Sequence, residues 1–181
     1  MPQLKPNIYT IEDIYALPNG QRAELIDGVI YNMAPPNRIH QEICFSLSRK
    51  IADYIDKNNG KCKIYLAPFA VFLNKEDTTY VEPDISVICD KSKLTDKGCN
   101  GAPDFIIEIV SPSSRKMDYF KKNTLYSETG VREYWIVDPQ KERTIIYRYE
   151  EDEVPMIFTF EQTITVGIYG DLKINIKQLI E

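Results

Sequence analysis

Glu108 constrains this chain more than any other residue. It sits inside Asp104-Phe-Ile-Ile-Glu-Ile-Val110, which otherwise reads as a fully buried strand. Side chains alternate along a strand, so Ile106, Glu108 and Val110 share one face. A lone carboxylate there costs several kcal/mol or stays protonated unless a cation or donor meets it. Upstream, Val81-Glu-Pro-Asp-Ile-Ser-Val-Ile88 places a second acid, Asp84, at the head of another apolar strand. Two strand-borne carboxylates that converge are what a hard divalent cation needs.

Asp104 is the competing partner, because Pro103-Asp104 repeats the Pro83-Asp84 pair. Asp104 and Glu108 stand on one strand four residues apart, which is roughly 13 Å at the usual rise. They cannot chelate one ion in that form. Adjacent strands lie about 4.8 Å apart, so an Asp84 strand beside the Glu108 strand brings the two carboxylates together. Asp84 and Glu108 are therefore the expected metal ligands, with the Ile109 carbonyl as a third oxygen. The bland alternative has Asp84 capping a turn and Glu108 paired with a buried lysine or arginine.

The chain has 181 residues, enough for one domain spanning 1–181 with a proper core. Its net charge of −5 gives no global positive field, so a nucleic acid must be met by local basic clusters such as Arg115-Lys116 or Lys121-Lys122. The cysteines at 44, 62, 89 and 99 lack C-x-x-C spacing, and there is one histidine, which argues against structural zinc. Scattered cysteines without a secretory signal suggest a reducing cytoplasm, and no apolar run reaches transmembrane length. Met1-Pro-Gln-Leu-Lys-Pro6 reads as a short loose arm.

Turn and periodicity signals give the element order. Thr10 caps a short helix to about Leu17. Asp27-Gly28 between two apolar runs marks an N-terminal hairpin. Ile39, Ile43, Leu47, Ile51 and Ile55 recur at helical spacing over 38–57, and Asn58-Asn59-Gly60 stops that helix. Strands are expected at 62–66, 69–73, 84–89, 104–110, 133–137, 143–149 and 155–160. A polar loop is expected over 90–103 and a helix over 115–128. The 172–180 segment is less defined. This order implies an α/β (α+β) layer fold, one mixed central sheet flanked by helices.

Four stretches in this order resemble the PD-(D/E)XK nuclease superfamily, and most closely its Uma-two-like branch of small bacterial restriction-endonuclease-like proteins. They are Ala23-Glu-Leu-Ile-Asp-Gly-Val-Ile30, Val81-Glu-Pro-Asp-Ile-Ser-Val87, Phe105-Ile-Ile-Glu-Ile-Val-Ser-Pro-Ser113 and Gly130-Val-Arg-Glu-Tyr-Trp-Ile-Val-Asp138. The resemblance implies a restriction-endonuclease-like fold and Mg²⁺-dependent (or Mn²⁺-dependent) phosphodiester hydrolysis in nucleic acid, DNA first of all. It makes Asp84 and Glu108 metal ligands and Glu24 an accessory acid. The superfamily's usual lysine, two residues after the second acid, is replaced here by Val110. Lys122 is the expected substitute, borne on the following helix with Asp118 and Tyr126 on its face; Lys116 and Lys121 are runners-up. His40, bordering the buried helix stripe, is a further catalytic candidate. Against these roles, Asp118 and Lys122 could form a surface pair, Glu24 could pair with Arg22, and His40 reads first as a satisfied core histidine. Restriction-type nucleases often dimerise to cut two strands, which makes a homodimer an expectation; no membrane partner is implied.

Two further readings remain. A degenerate nuclease fold would bind nucleic acid or protein without cutting, as Val110 and the acidic charge suggest. A glycosidase would also use two carboxylates, but usually in an open cleft. Serine or cysteine hydrolysis is poorly supported, since there is no G-x-S-x-G and His40 is the sole histidine.

Overall fold

The computed structural model describes residues 8–181, apart from the side chains of 152 and 153; the expected loose arm at 1–6 lies outside the described residues. The chain opens with α1 (Ile11–Tyr15), where Thr10 and Asp13 form a capping box. The hairpin follows as β1 (Ala23–Ile26) and β2 (Val29–Asn32). Asp27 and Gly28 both take positive φ, 51° and 74°, as a two-residue primed turn requires. Then comes α2 (Arg38–Lys57), with the bounds its apolar stripe predicts.

Short strands β3 (Lys63–Leu66), β4 (Val71–Phe72) and β5 (Ile85–Ile88) come next. The expected polar loop over 90–103 is more ordered than its composition suggests. It carries β6 (Leu94–Thr95) and β7 (Gly98–Asn100), which join β4 in a small three-stranded sheet. After β8 (Phe105–Ile109), the predicted helix arrives as a π-helical turn, Met117–Lys121, running into α3 (Lys122–Thr129). Gly130 closes it at φ 93°, a left-handed C-terminal cap that suits glycine. The chain ends with β9 (Glu133–Asp138), β10 (Arg143–Arg148), β11 (Asp152–Thr159), β12 (Thr163–Thr165), β13 (Lys173–Asn175) and α4 (Ile176–Ile180).

The central sheet has the order β11-β10-β9-β8-β5-β3. Only β8 and β9 pair in parallel; the other neighbours are antiparallel. A parallel pair needs a long crossover, and the π-turn and α3 supply it. The sheet separates two apolar layers. On one face, Ile43, Leu47, Ile51 and Ile55 of α2 pack on Ile85, Val87, Phe105, Ile107 and Ile109. On the other, Leu125 and Tyr126 of α3 pack on Ile88, Ile106, Val110, Tyr134 and Ile136. Each such aliphatic side chain contributes roughly 1.5–3 kcal/mol on leaving water. Strands covered on both sides read as continuous apolar runs, which is why β5 and β8 lack alternation.

Cys62 and Cys89 are joined by a disulfide, with the Cα atoms 3.8 Å apart. They flank the Lys63–Ile88 pair of the β3–β5 ladder, directly opposite each other. The scattered cysteines, which suggested a reducing cytoplasm, gave no sign of this pairing, because cross-strand adjacency has no signature in linear spacing. Cys44 and Cys99 are free and buried.

Candidate active site

The antiparallel register of β5 and β8 pairs Ile85 with Ile107, which sets Asp84 across from Glu108. Both side chains line one cavity of about 270 Å³, along with Glu24, His40, Asp118 and Lys122. The Asp84 amide lies 3.4 Å from Glu108 Oε2. The sequence-derived pairing of these acids on neighbouring strands is thus what the sheet delivers. Asp104 is elsewhere: it accepts the Cys89 amide at 2.7 Å and faces Arg132 at 3.3 Å.

Each carboxylate is pinned through one oxygen. Asp84 Oδ2 accepts the Ile109 N–H at 2.8 Å and lies 3.0 Å from His40 Nε2. Glu108 Oε1 accepts the Lys122 ammonium and the Tyr126 hydroxyl, both at 2.8 Å. Of the remaining oxygens, Glu108 Oε2 accepts only the long Asp84 N–H contact at 3.4 Å, and Asp84 Oδ1 takes no hydrogen bond from the described residues. Ile109 thus meets the site through its N–H as well as its position beside Glu108.

Lys122 is buried, not at the surface. Its ammonium touches Glu108 at 2.8 Å and Glu24 at 2.9 Å, with Asp118 farther at 3.8 Å. The surface Asp118–Lys122 pair is therefore replaced by a buried four-membered cluster. Lys121 points elsewhere, its ammonium 5.1 Å from the Tyr31 ring centre. Glu24 is also buried, accepting the Glu82 amide at 2.9 Å, while Arg22 turns to Glu82 instead. His40 is 8% exposed and leaves Nδ1 without a partner among the described residues, so it is not a satisfied core histidine. Asp118, which the sequence reading treats only as a helix neighbour, joins as a fourth acid, held by Ser114 Oγ at 2.6 Å.

The electrostatics follow from three acids around one buried ammonium, with Asp84 close to Glu108. Burial, with Asp84, Asp118 and Glu24 nearby, pushes Glu108 well above the ordinary carboxylate range against the pull of Lys122. Burial likewise pushes Asp118 up to about 6. For Lys122 burial works downward, but Glu108, Glu24 and Asp118 outweigh it and hold the ammonium charged. Burial and then Glu108 raise the Tyr126 hydroxyl, so it stays a donor. Cys44 lines the same cavity, yet burial, Asp84 and Glu108 push its thiol up to about 12, which disarms it as a nucleophile.

Among the described residues, no three His, Cys, Asp or Glu side chains stand together as a ready-made metal cage. The donor set still fits Mg²⁺, which commonly binds through one or two carboxylates and completes its shell with water and substrate phosphate. The free Asp84 Oδ1 and the weakly held Glu108 Oε2, beside several buried acids, are such a set.

A mixed sheet with helices on both faces and acids converging from two neighbouring strands defines a restriction-endonuclease-like protein. The chain belongs to the Uma2 family, described as "Putative restriction endonuclease", whose model matches residues 11–175. An Anabaena variabilis structure, described as a putative nuclease belonging to DUF820, superposes with a TM-score of 0.77 at 22% identity, covering 94% of this chain and 97% of that one. Two uncharacterised Synechocystis sp. proteins are also similar. One is 25% identical over 143 residues, covering 78% of this chain and 73% of the relative. The other is 26% identical over 121 residues, covering 65% and 67%. The family is a nuclease family, and no helix among the described residues is long and apolar enough to cross a membrane.

Proposed function

We propose that this chain, read as one domain over 1–181, is a metal-dependent endonuclease that hydrolyses phosphodiester bonds in DNA. Asp84 and Glu108 hold Mg²⁺, or Mn²⁺ in its place, with the Ile109 carbonyl beside them; Lys122 and Glu24 complete the machinery. The observation that carries the reading is the convergence of the Asp84 and Glu108 carboxylates, each held firmly through one oxygen, beside a charged lysine in one cavity. A bound divalent ion would supply Lewis acidity toward a phosphate oxygen and a more acidic water.

The chain's own groups have separable tasks. The Ile109 N–H and His40 fix the Asp84 carboxylate so that its other oxygen stays open. Tyr126 and Lys122 hold Glu108 by Oε1, leaving Oε2 with only the long Asp84 amide contact. Lys122 remains an ammonium because three acids surround it, and it opposes negative charge growing at the attacked phosphorus. Glu24 anchors Lys122 from the hairpin side. The position of Lys122 replaces the ammonium that Val110 cannot provide, which favours cutting over mere binding.

The test is cleavage of plasmid and linear DNA in Mg²⁺, in EDTA, and by Asp84→Asn and Glu108→Gln. Cutting confined to wild type with Mg²⁺ supports the reading. Retained binding without any cutting favours the degenerate, non-catalytic alternative.

A further inference from the structure

We propose that Arg143, flanked by Lys116 and Lys141, docks a backbone phosphate of the DNA strand whose cleaved phosphate enters the cavity. This deepens the nuclease reading and rests on it.

The cavity cannot hold the strand by itself. Its two lining cations are both engaged, Arg22 with Glu82 and Lys122 with Glu24 and Glu108. Nucleic acid is held chiefly by lysines and arginines set against its phosphates. Those phosphates lie on the outside of the strand, paired or unpaired, so cations beside the cavity can meet them. With a net charge of −5, the task falls to a local cluster.

Arg143 has the surplus charge. On β10 it stands opposite Asp138 of β9, a fully buried acid. The Asp138 carboxylate is already satisfied: Oδ2 accepts Arg115 Nη1 and the Tyr119 hydroxyl, both at 2.8 Å, and Oδ1 accepts the Gln140 and Lys141 amides at 3.1 and 3.2 Å. Arg143 reaches only Tyr119, its Nη2 lying 3.3 Å from the hydroxyl oxygen and its guanidinium 5.7 Å from the ring centre. Among the described residues no carboxylate pairs with Arg143, and its buried Nε has no hydrogen-bond partner. One carboxylate thus serves two guanidiniums. Lys116, next to Arg115 in the chain, and Lys141 are both exposed and add to the excess. A guanidinium fork with open donors matches phosphate oxygens.

The cluster is also in the right place. Ser111, Ser113 and Ser114 line the cavity and lead directly into Arg115. Ile145, two residues beyond Arg143, packs with Ile106 and Val110 in one layer, so Arg143 and Glu108 share a face of the sheet. Two strand spacings, roughly 10 Å, separate β10 from β8. A strand rises about 3.4 Å per nucleotide, so the docked phosphate lies about three nucleotides from the cleaved one.

The experiment follows a labelled duplex oligonucleotide, by fluorescence anisotropy in Ca²⁺ over a range of salt and by cleavage in Mg²⁺. Arg143→Gln should raise KM about tenfold with kcat within about twofold of wild type, and should lower the slope of log K against log salt by about one. Arg143→Lys, which keeps the charge, should restore the slope. Lys97→Gln removes an exposed charge between β6 and β7 and serves as the control. An Arg143→Gln protein indistinguishable from that control overturns the inference, as does a raised KM with an unchanged slope, which marks a structural role. If Arg143→Gln does not fold, the double variant Lys116→Gln/Lys141→Gln, which alters exposed side chains alone, decides in the same way: a slope lower by about one sustains the inference, and a match to the control overturns it. Cutting with unaltered slopes leaves the nuclease reading standing without the dock. Slope loss without cutting sustains the dock while the cleavage reading fails. Neither binding nor cutting removes both.

Discussion

At the scale of single residues, Lys122 is both the candidate catalytic cation and a structural keystone. Its ammonium neutralises part of a buried group of acids, Glu24, Glu108 and Asp118. Deleting one partner of a buried ionic cluster typically costs about 3–5 kcal/mol, because the remaining charge is stranded. Lys122→Ala should therefore lower unfolding stability in urea by an amount of that order at neutral pH; a loss below about 1 kcal/mol would contradict the buried geometry. Activity loss in that variant must accordingly be measured on the folded fraction.

Asp118 gives a pH signature with a definite sign. The folded chain keeps its proton up to about 6, whereas an unfolded aspartate releases it near about 3.9. Between those values the folded state binds more protons, so the Asp118 contribution to stability falls as pH rises. The drop is on the order of 1–3 kcal/mol. In metal-free buffer, the stability of wild type relative to Asp118→Asn should decline across that interval; a flat difference would refute the raised carboxyl. The sequence announced Asp84 and Glu108 through their strand contexts, while Glu24 and Lys122 came only from the family resemblance. It did not announce Asp118 as a site acid, nor the His40–Asp84 contact, because both depend on how helices dock against the ends of strands.

Among the elements, α2 was the most legible. Its stripe of Ile43, Leu47, Ile51 and Ile55 fixes both the helix and its buried face, and Asn58-Asn59-Gly60 fixes its end. Its start also positions chemistry. Asn37 Oδ1 accepts the His40 N–H at 3.0 Å, so the N-cap orients the turn from which His40 reaches Asp84. Asn37→Ala should cost about 0.5–2 kcal/mol, and Asn37→Gly only a few tenths. Equal losses for both, measured by chemical denaturation, would show that the cap does not hold this turn.

The 115–129 helix was legible in extent but not in its winding. A π-helical turn at Met117–Lys121 precedes α3, and helical periodicity alone carries no sign of it. The segment at 90–103 misled for another reason. Its strands are only two and three residues long, and they form because β4 offers them an edge. Tertiary pairing, rather than propensity, makes such short strands.

For the whole molecule, a two-layered core holds a cluster of acids at some cost. The buried pair of apolar layers was predictable from the runs in β5, β8 and β9; the order of the six strands was not, since long-range pairing leaves no local trace. A divalent ion should relieve the excess negative charge and so stabilise the fold. At 100 times its dissociation constant a ligand adds about 2.7 kcal/mol. Calorimetric melts should show a Mg²⁺-dependent rise in Tm for wild type that vanishes in Asp84→Asn and Glu108→Gln. An equal rise in all three proteins would place the ion elsewhere.

The central claim is that Asp84 and Glu108 share one divalent cation. Its most direct test is anomalous difference density from crystals soaked in Mn²⁺. The account predicts a single strong peak between these two carboxylates, at ligand distances of about 2.0–2.6 Å. A saturated crystal with no peak there, or with its peak at another site, would contradict it.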